Sequence, residues 1–112
     1  VAYLLTQLLA ESAARRPESV AIVCGDDRVT YAELDGSTSR LAHLLISLGA
    51  KRGDRIGIHL GKGIDSITAA LAVLKVGAAY VPIDPTAPAR RVQYILARCE
   101  IALLLTSRAR LG

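Results

Sequence analysis

Apolar positions run along this chain in blocks, and the period of each block changes from helical to alternating and back. Leu5, Leu8, Leu9, Ser12 and Ala13 share one face at helical spacing, which predicts a helix from Leu4 to Arg16 that Pro17 ends. Val20-Ala-Ile-Val-Cys24 is a short β-branched run and reads as a strand. Gly25-Asp26-Asp27 turns the chain, and Arg28 to Thr30 returns beside it as a hairpin with a three-residue loop. Leu34, Thr38, Leu41, Leu45 and Leu48 follow at spacings of four, three, four and three, the stripe of an amphipathic helix. Thr30-Tyr-Ala-Glu33 opens that helix as a capping box: the Thr30 hydroxyl accepts from the Glu33 amide, and the Glu33 carboxylate accepts from the Thr30 amide. Gly49 supplies the stop.

The second half repeats a strand-helix rhythm. Arg55-Ile-Gly-Ile-His-Leu60 alternates, with Ile56, Ile58 and Leu60 on one side. Gly61-Lys62-Gly63 breaks it. Ile64 to Val76 is helical again, with Ile64, Ile67, Leu71 and Leu74 as its main stripe and alanines over much of the remainder, so it is expected to be buried on more than one side. Leu74 to Pro85 then makes a corner. Gly77 sits where a helix end wants a left-handed residue, and Ala79 to Val81 continues as a strand. Pro82 and Pro85 fix φ twice and remove two donors. Asp84, before Pro85, is held extended. Pro88 suits the first turn of another helix, whose inner face is Val92, Ile95, Leu96 and Cys99. Ile101 to Leu105 is almost continuously apolar, as a central parallel strand would be. The expected fold class is α/β: an incomplete parallel sheet with flanking helices.

Composition narrows the function classes. Among 112 residues, 52% are hydrophobic, which excludes disorder and fits one small domain. No apolar run is long enough for a membrane span and no signal peptide is visible, which predicts a cytoplasmic protein without membrane partners. The chain starts at Val1 and contains no Met, which reads as a piece of a longer polypeptide or as a sequence whose true ends lie elsewhere. Net charge is +4, with eleven Arg against three Lys. These residues are scattered (Arg15-Arg16, Lys51-Arg52, Arg90-Arg91, Arg108, Arg110) rather than gathered in a stripe with interleaved aromatics, so no nucleic-acid partner is expected. Cys24 and Cys99 lie far apart with no ligand pattern around them, and are expected to be free and buried.

Candidate chemistry is thin. Gly57-Ile-His-Leu-Gly61-Lys62 imitates a phosphate loop but is one residue short, and Gly63 stands where a magnesium-holding Ser or Thr belongs. Gly61-x-Gly63-x-x-Ser66 comes nearer to a dinucleotide fingerprint, with Asp84 about 20 residues on as a ribose-binding acid. Ser66 in place of the third glycine works against tight helix-strand packing. The plainer reading is a strand-to-helix turn, with Asp84 as a rigid exit. His43 lies off its helix stripe, in solvent. His59 faces away from Ile56 and Ile58, with no partner legible. Glu33 is explained by its cap, and Asp54 and Asp65 by turn and helix-start positions. No residue is assigned a catalytic, cofactor-binding or metal-binding role.

Two stretches together point to a family. Val29-Thr-Tyr-Ala-Glu-Leu34 resembles the first core motif of adenylate-forming enzymes. Leu74-Lys-Val-Gly-Ala-Ala-Tyr-Val-Pro-Ile-Asp-Pro85 resembles the second core motif of the adenylation domains of nonribosomal peptide synthetases. Arg16-Pro17, Ala21-Ile-Val23, Gly53-Asp54-Arg55-Ile-Gly-Ile58 and Pro88-Ala-Arg-Arg91 are similar to the same family in the same order. The resemblance covers nearly the whole chain and implies the N-terminal subdomain portion of such an enzyme. For the parent it implies ATP- and magnesium-dependent activation of an amino acid as its acyl adenylate, then transfer to a carrier-protein phosphopantetheine thiol. The family's phosphate loop, pocket residues, adenosine-binding aspartate and C-terminal lysine have no counterpart up to Gly112. The chain alone is therefore expected to be inactive and to bind no cofactor, with its parent's remainder and a carrier protein as partners and open sheet edges that promote self-association. The other readings are a non-catalytic interaction module on the same scaffold and a nicotinamide-dinucleotide-binding fragment.

Overall fold

The computed structural model describes residues 2–107, with side chains from residue 6 onward. Leu5 of the expected first helix face, Arg108 and Arg110 lie outside these described parts. The elements in chain order are α1 (Ala2–Arg15), β1 (Val20–Cys24), β2 (Asp27–Thr30), α2 (Tyr31–Ser47), β3 (Arg55–His59), α3 (Ile64–Val76), β4 (Ala79–Pro82), α4 (Ala89–Arg98) and β5 (Leu103–Thr106).

β1 and β2 form a separate antiparallel hairpin, while β4-β3-β5 is a parallel sheet in that order. The hairpin loop has two residues rather than three, because Cys24 pairs directly with Asp27. Gly25 takes φ 60, and a positive φ at the first loop position alone is the pattern of a type II′ turn, whose twist matches its strands. The parallel register sets Ile56 beside Tyr80 and Leu103, and Ile58 beside Pro82 and Leu105. β3, not the last strand, is the central one among the described residues. Its Ile56, Gly57, Ile58 and His59 are all buried. β5 lies at an edge, and its residues are half-buried.

The core forms on one face of this sheet. Ile56 and Ile58 meet Ala69, Ala72 and Val73 of α3, and Ala42 and Leu45 of α2, with Leu103 and Leu105 packed alongside. The expected stripe of α3 is corrected here: Ile67 is exposed, and the deep residues are Ala69, Ala72 and Val73. Small side chains on that face let α2 approach closely. The α2 stripe holds at Leu34, Thr38 and Leu45, but Ala42 takes an inner position and Leu48 is 58% exposed just past the helix end. α3 also touches α1 and β4, so it is covered on several sides. Since β3→β4 and β4→β5 cross the sheet in opposite directions, right-handed connections put α3 and α4 on opposite faces. No described helix is long and apolar enough to cross a membrane.

Each helix end has a visible cause. The Thr30 amide donates to Glu33 Oε1 (2.9 Å), and the Glu33 amide donates to Thr30 Oγ1 (3.1 Å), closing the expected capping box. Gly77 stops α3 at φ 86, where its amide donates to the Leu74 carbonyl and the Ala78 amide to that of Val73. This pair of bonds is a Schellman motif. The corner is then tied to the preceding turn: the Gly53 amide donates to the Gly77 carbonyl (3.0 Å), and the Ala79 amide to that of Asp54 (2.8 Å).

Candidate functional site

In an open parallel sheet, ligands are met at the carboxyl ends of the strands. Here that edge carries the Leu60–Gly63 loop after β3, the Ile83–Pro85 segment after β4, and Ser107 after β5. A cleft of about 330 Å³ opens beside β4, lined by Ile58, Leu60, Lys62, Ser66, Tyr80 and Asp84 among others. A second, of about 490 Å³, lies where the β1–β2 turn meets the same loop, and Cys24, Asp27, Lys62, Gly63, Asp65 and Ser107 line it.

The residues of the dinucleotide-like pattern are divided between the two clefts, Ser66 and Asp84 lining the first and Gly61 and Gly63 the second, and their local bonding can be read. Gly63 caps α3 at φ 151 and ψ −170, a backbone region that favours glycine. The Ser66 hydroxyl donates back to the Gly63 carbonyl at 3.0 Å. Asp65 stands in the first turn of α3, where it complements the helix dipole itself. Asp84 Oδ1 accepts from the Thr86 amide (2.9 Å) and from the Thr86 hydroxyl (2.7 Å). Those two bonds, the amide first, hold the carboxyl below the usual carboxylate range, and the nearby His59 adds a smaller pull in the same direction. Asp84 forms a local turn around Thr86, consistent with its reading as a rigid exit.

His59 is the feature that sequence reading left without a partner. It faces away from Ile56 and Ile58 as expected, is only 8% exposed, and its Nδ1 lies 3.1 Å from Thr106 Oγ1. Its Nε2 is buried with no hydrogen-bond partner. His43 is exposed. Both cysteines are free, but Cys24 is exposed rather than buried, because the hairpin leaves its outer face open; Cys99 is half-buried under α4. Among the described residues no group of three His, Cys, Asp or Glu gathers as a metal site.

The profile for the AMP-binding enzyme family matches residues 9–111. The chain belongs to that family. Phosphinothricin tripeptide synthetase PhsC of Streptomyces viridochromogenes is 43% identical over 105 residues, which are 94% of this chain and 10% of that protein. Gramicidin S synthase 1 of Brevibacillus brevis is 43% identical over 102 residues, which are 91% of this chain and 9% of that protein. This chain thus spans a small fraction of the length of these relatives. Among solved structures, the Klebsiella oxytoca NpsA N-terminal subdomain in complex with anthranilyl-AMSN superposes with a TM-score of 0.80 at 24% identity, over 96% of this chain and 32% of that one, which establishes the fold. An artificially fused NpsA-ThdA adenylation-PCP di-domain from the same organism gives 0.81 at 27% identity, over 89% and 19%. The family member described here corresponds to the N-terminal portion of an adenylation domain. The corner at Leu74–Pro85 and the cap at Thr30–Glu33, the two stretches that carried the resemblance, are both folding devices of this scaffold.

Proposed function

We propose that this chain is the scaffold portion of the N-terminal subdomain of an amino-acid-activating adenylation domain, and that it supplies no catalytic group of its own. The proposed parent joins an amino acid's carboxylate to the α-phosphate of ATP, releases pyrophosphate, and passes the acyl group to a carrier-protein phosphopantetheine thiol. The match to the family over residues 9–111, together with 43% identity to a tripeptide synthetase, carries this reading. The bonding at the strand ends supports the second half of it. Ser66, Asp84 and Glu33, the polar residues that most resemble site groups, are each engaged with nearby backbone. The nucleotide and its magnesium are then held by other segments of the parent. The role left to this chain is to fix the β3–β4 corner and bury the helices against it.

A nicotinamide dinucleotide fits the same stretch less well. Asp65 already neutralises the start of α3, and Asp84 spends one carboxylate oxygen on Thr86. Titration calorimetry with NAD and NADP is expected to give flat traces. The scaffold reading is tested by ATP–pyrophosphate exchange with the purified chain across the proteinogenic amino acids. The expected outcome is exchange at the level of the buffer; amino-acid-dependent exchange by the chain alone would overturn it.

A further inference from the structure

α4 is divided sharply between its two sides. Val92 is buried, with Ile95, Leu96 and Cys99 half-buried behind it, while Arg90, Arg91, Tyr94 and Arg98 face solvent. The helix contains no carboxylate, and its first turn holds two arginines and no acid. Cations in that position oppose the helix dipole, so this placement runs against local stability. Such local conflicts are found where a surface serves something other than folding. The positive charge is also uncompensated. Among the described residues none of the three guanidinium groups has an ion-pair partner, and the nearest acid in sequence beyond the helix, Glu100, lies against Arg55.

The patch has shape as well as charge. Pro88, Arg90, Arg91 and Tyr94 surround an open cleft of about 660 Å³. The Arg91 guanidinium lies over the Tyr94 ring, 5.8 Å from its centroid. This cation-π contact favours the guanidinium beside the ring, where it can meet a carboxylate with two bonds. Arginine beside tyrosine in a concave site is the composition of a binding hot spot.

We propose that the outer face of α4 is a docking surface for a carboxylate-rich polypeptide. The arginines supply bidentate contacts to Asp or Glu side chains, and the walls of Pro88 and Tyr94 take an apolar side chain next to them. A nucleic acid is the poorer occupant. A strand needs a row of aromatic faces along a basic groove, and this patch offers one ring. The surface lies apart from both strand-end clefts and does not depend on the function proposed above.

The test is fluorescence anisotropy with a fluorescein-labelled poly-L-glutamate and, in parallel, a labelled oligothymidylate, at low and moderate salt. The double charge reversal Arg90→Glu, Arg91→Glu is expected to weaken poly-L-glutamate binding by at least about tenfold. The matched double reversal Arg28→Glu, Lys51→Glu, at exposed positions away from α4, is expected to stay within about twofold. Arg91→Lys keeps the charge and the helix but loses the stacked fork, and is expected to fall between them. Equal losses for the two double variants, which change the net charge by the same amount, would mean that only net charge is sensed and would overturn the proposal. So would an unchanged affinity in Arg91→Lys, or tighter binding of the oligothymidylate with the same residue dependence.

Discussion

Thr38, on α2, is fully buried, and its hydroxyl oxygen has no hydrogen-bond partner. Thr38→Val keeps the branched shape and removes the orphaned polar atom, so a gain of about 1 kcal/mol is expected in urea unfolding; a loss of that size would mean the hydroxyl has a partner in solution. Asp84 links stability to pH. Its carboxyl is held below the ordinary range by Thr86, so the folded chain favours the ionised form more than the unfolded chain does. That contribution is present above about pH 4 and is lost as pH falls through the lowered value. The melting-temperature gap between the chain and Asp84→Asn is therefore expected to narrow on going from about pH 6 to about pH 2.5, and a constant gap would contradict the assignment. Glu100 stops α4 at φ 53, a left-handed conformation that a side chain resists. Its pairing with Arg55, at 3.8 Å between exposed groups, is weak. Glu100→Gly is expected to add about 0.5–1 kcal/mol to chemical stability, the strain relieved less the flexibility gained by the unfolded chain.

At the scale of elements, three helices end in the same way. Gly49, Gly77 and Glu100 each stand left-handed, and each is followed by a residue whose amide reaches back to the final turn: Ala50 to Leu45, Ala78 to Val73, Ile101 to Leu96. The two glycine stops were legible in the sequence, because glycine is the residue that such a position selects. The third was not, because nothing marks a glutamate for it. Gly77→Ala is expected to cost about 1–2 kcal/mol from the left-handed backbone alone. The new Cβ would also meet Arg52 Cγ at 3.1 Å, so urea titration showing no loss would overturn the role given to this stop. The capping box and the order of elements were readable for the same reason: they are local. What was not readable depends on distant partners. The inner face of α3 was expected from bulk at Ile67 and Leu71, but proximity to α2 is set by Ala69 and Ala72. His59 found Thr106 only because parallel pairing brings together two residues separated by 47 positions. The strand-end clefts likewise exist only after the sheet has assembled.

Seen whole, the described chain is a three-stranded parallel sheet with a helical layer on one side and a single helix on the other. Parallel sheets of so few strands with open edges are uncommon as independent units. β4 carries Pro82, which has no amide to offer a neighbour, whereas β5 runs Leu-Leu-Leu-Thr with no proline and no charge. Leu44, Ile46 and Leu48 add exposed apolar surface at the end of α2. The chain by itself is therefore expected to self-associate, with a sedimentation-derived mass that rises with concentration; a single monomer across the range would count against open edges as the dominant surface feature. The central claim is that this stretch is scaffold for chemistry carried elsewhere in its parent. It is tested most directly by exchanging the matching segment of gramicidin S synthase 1 for this chain and measuring ATP–pyrophosphate exchange over a panel of amino acids. A folded chimera with the host's own amino-acid profile is the predicted result. A folded chimera whose profile moves to a different amino acid, or which has lost exchange altogether, would contradict it.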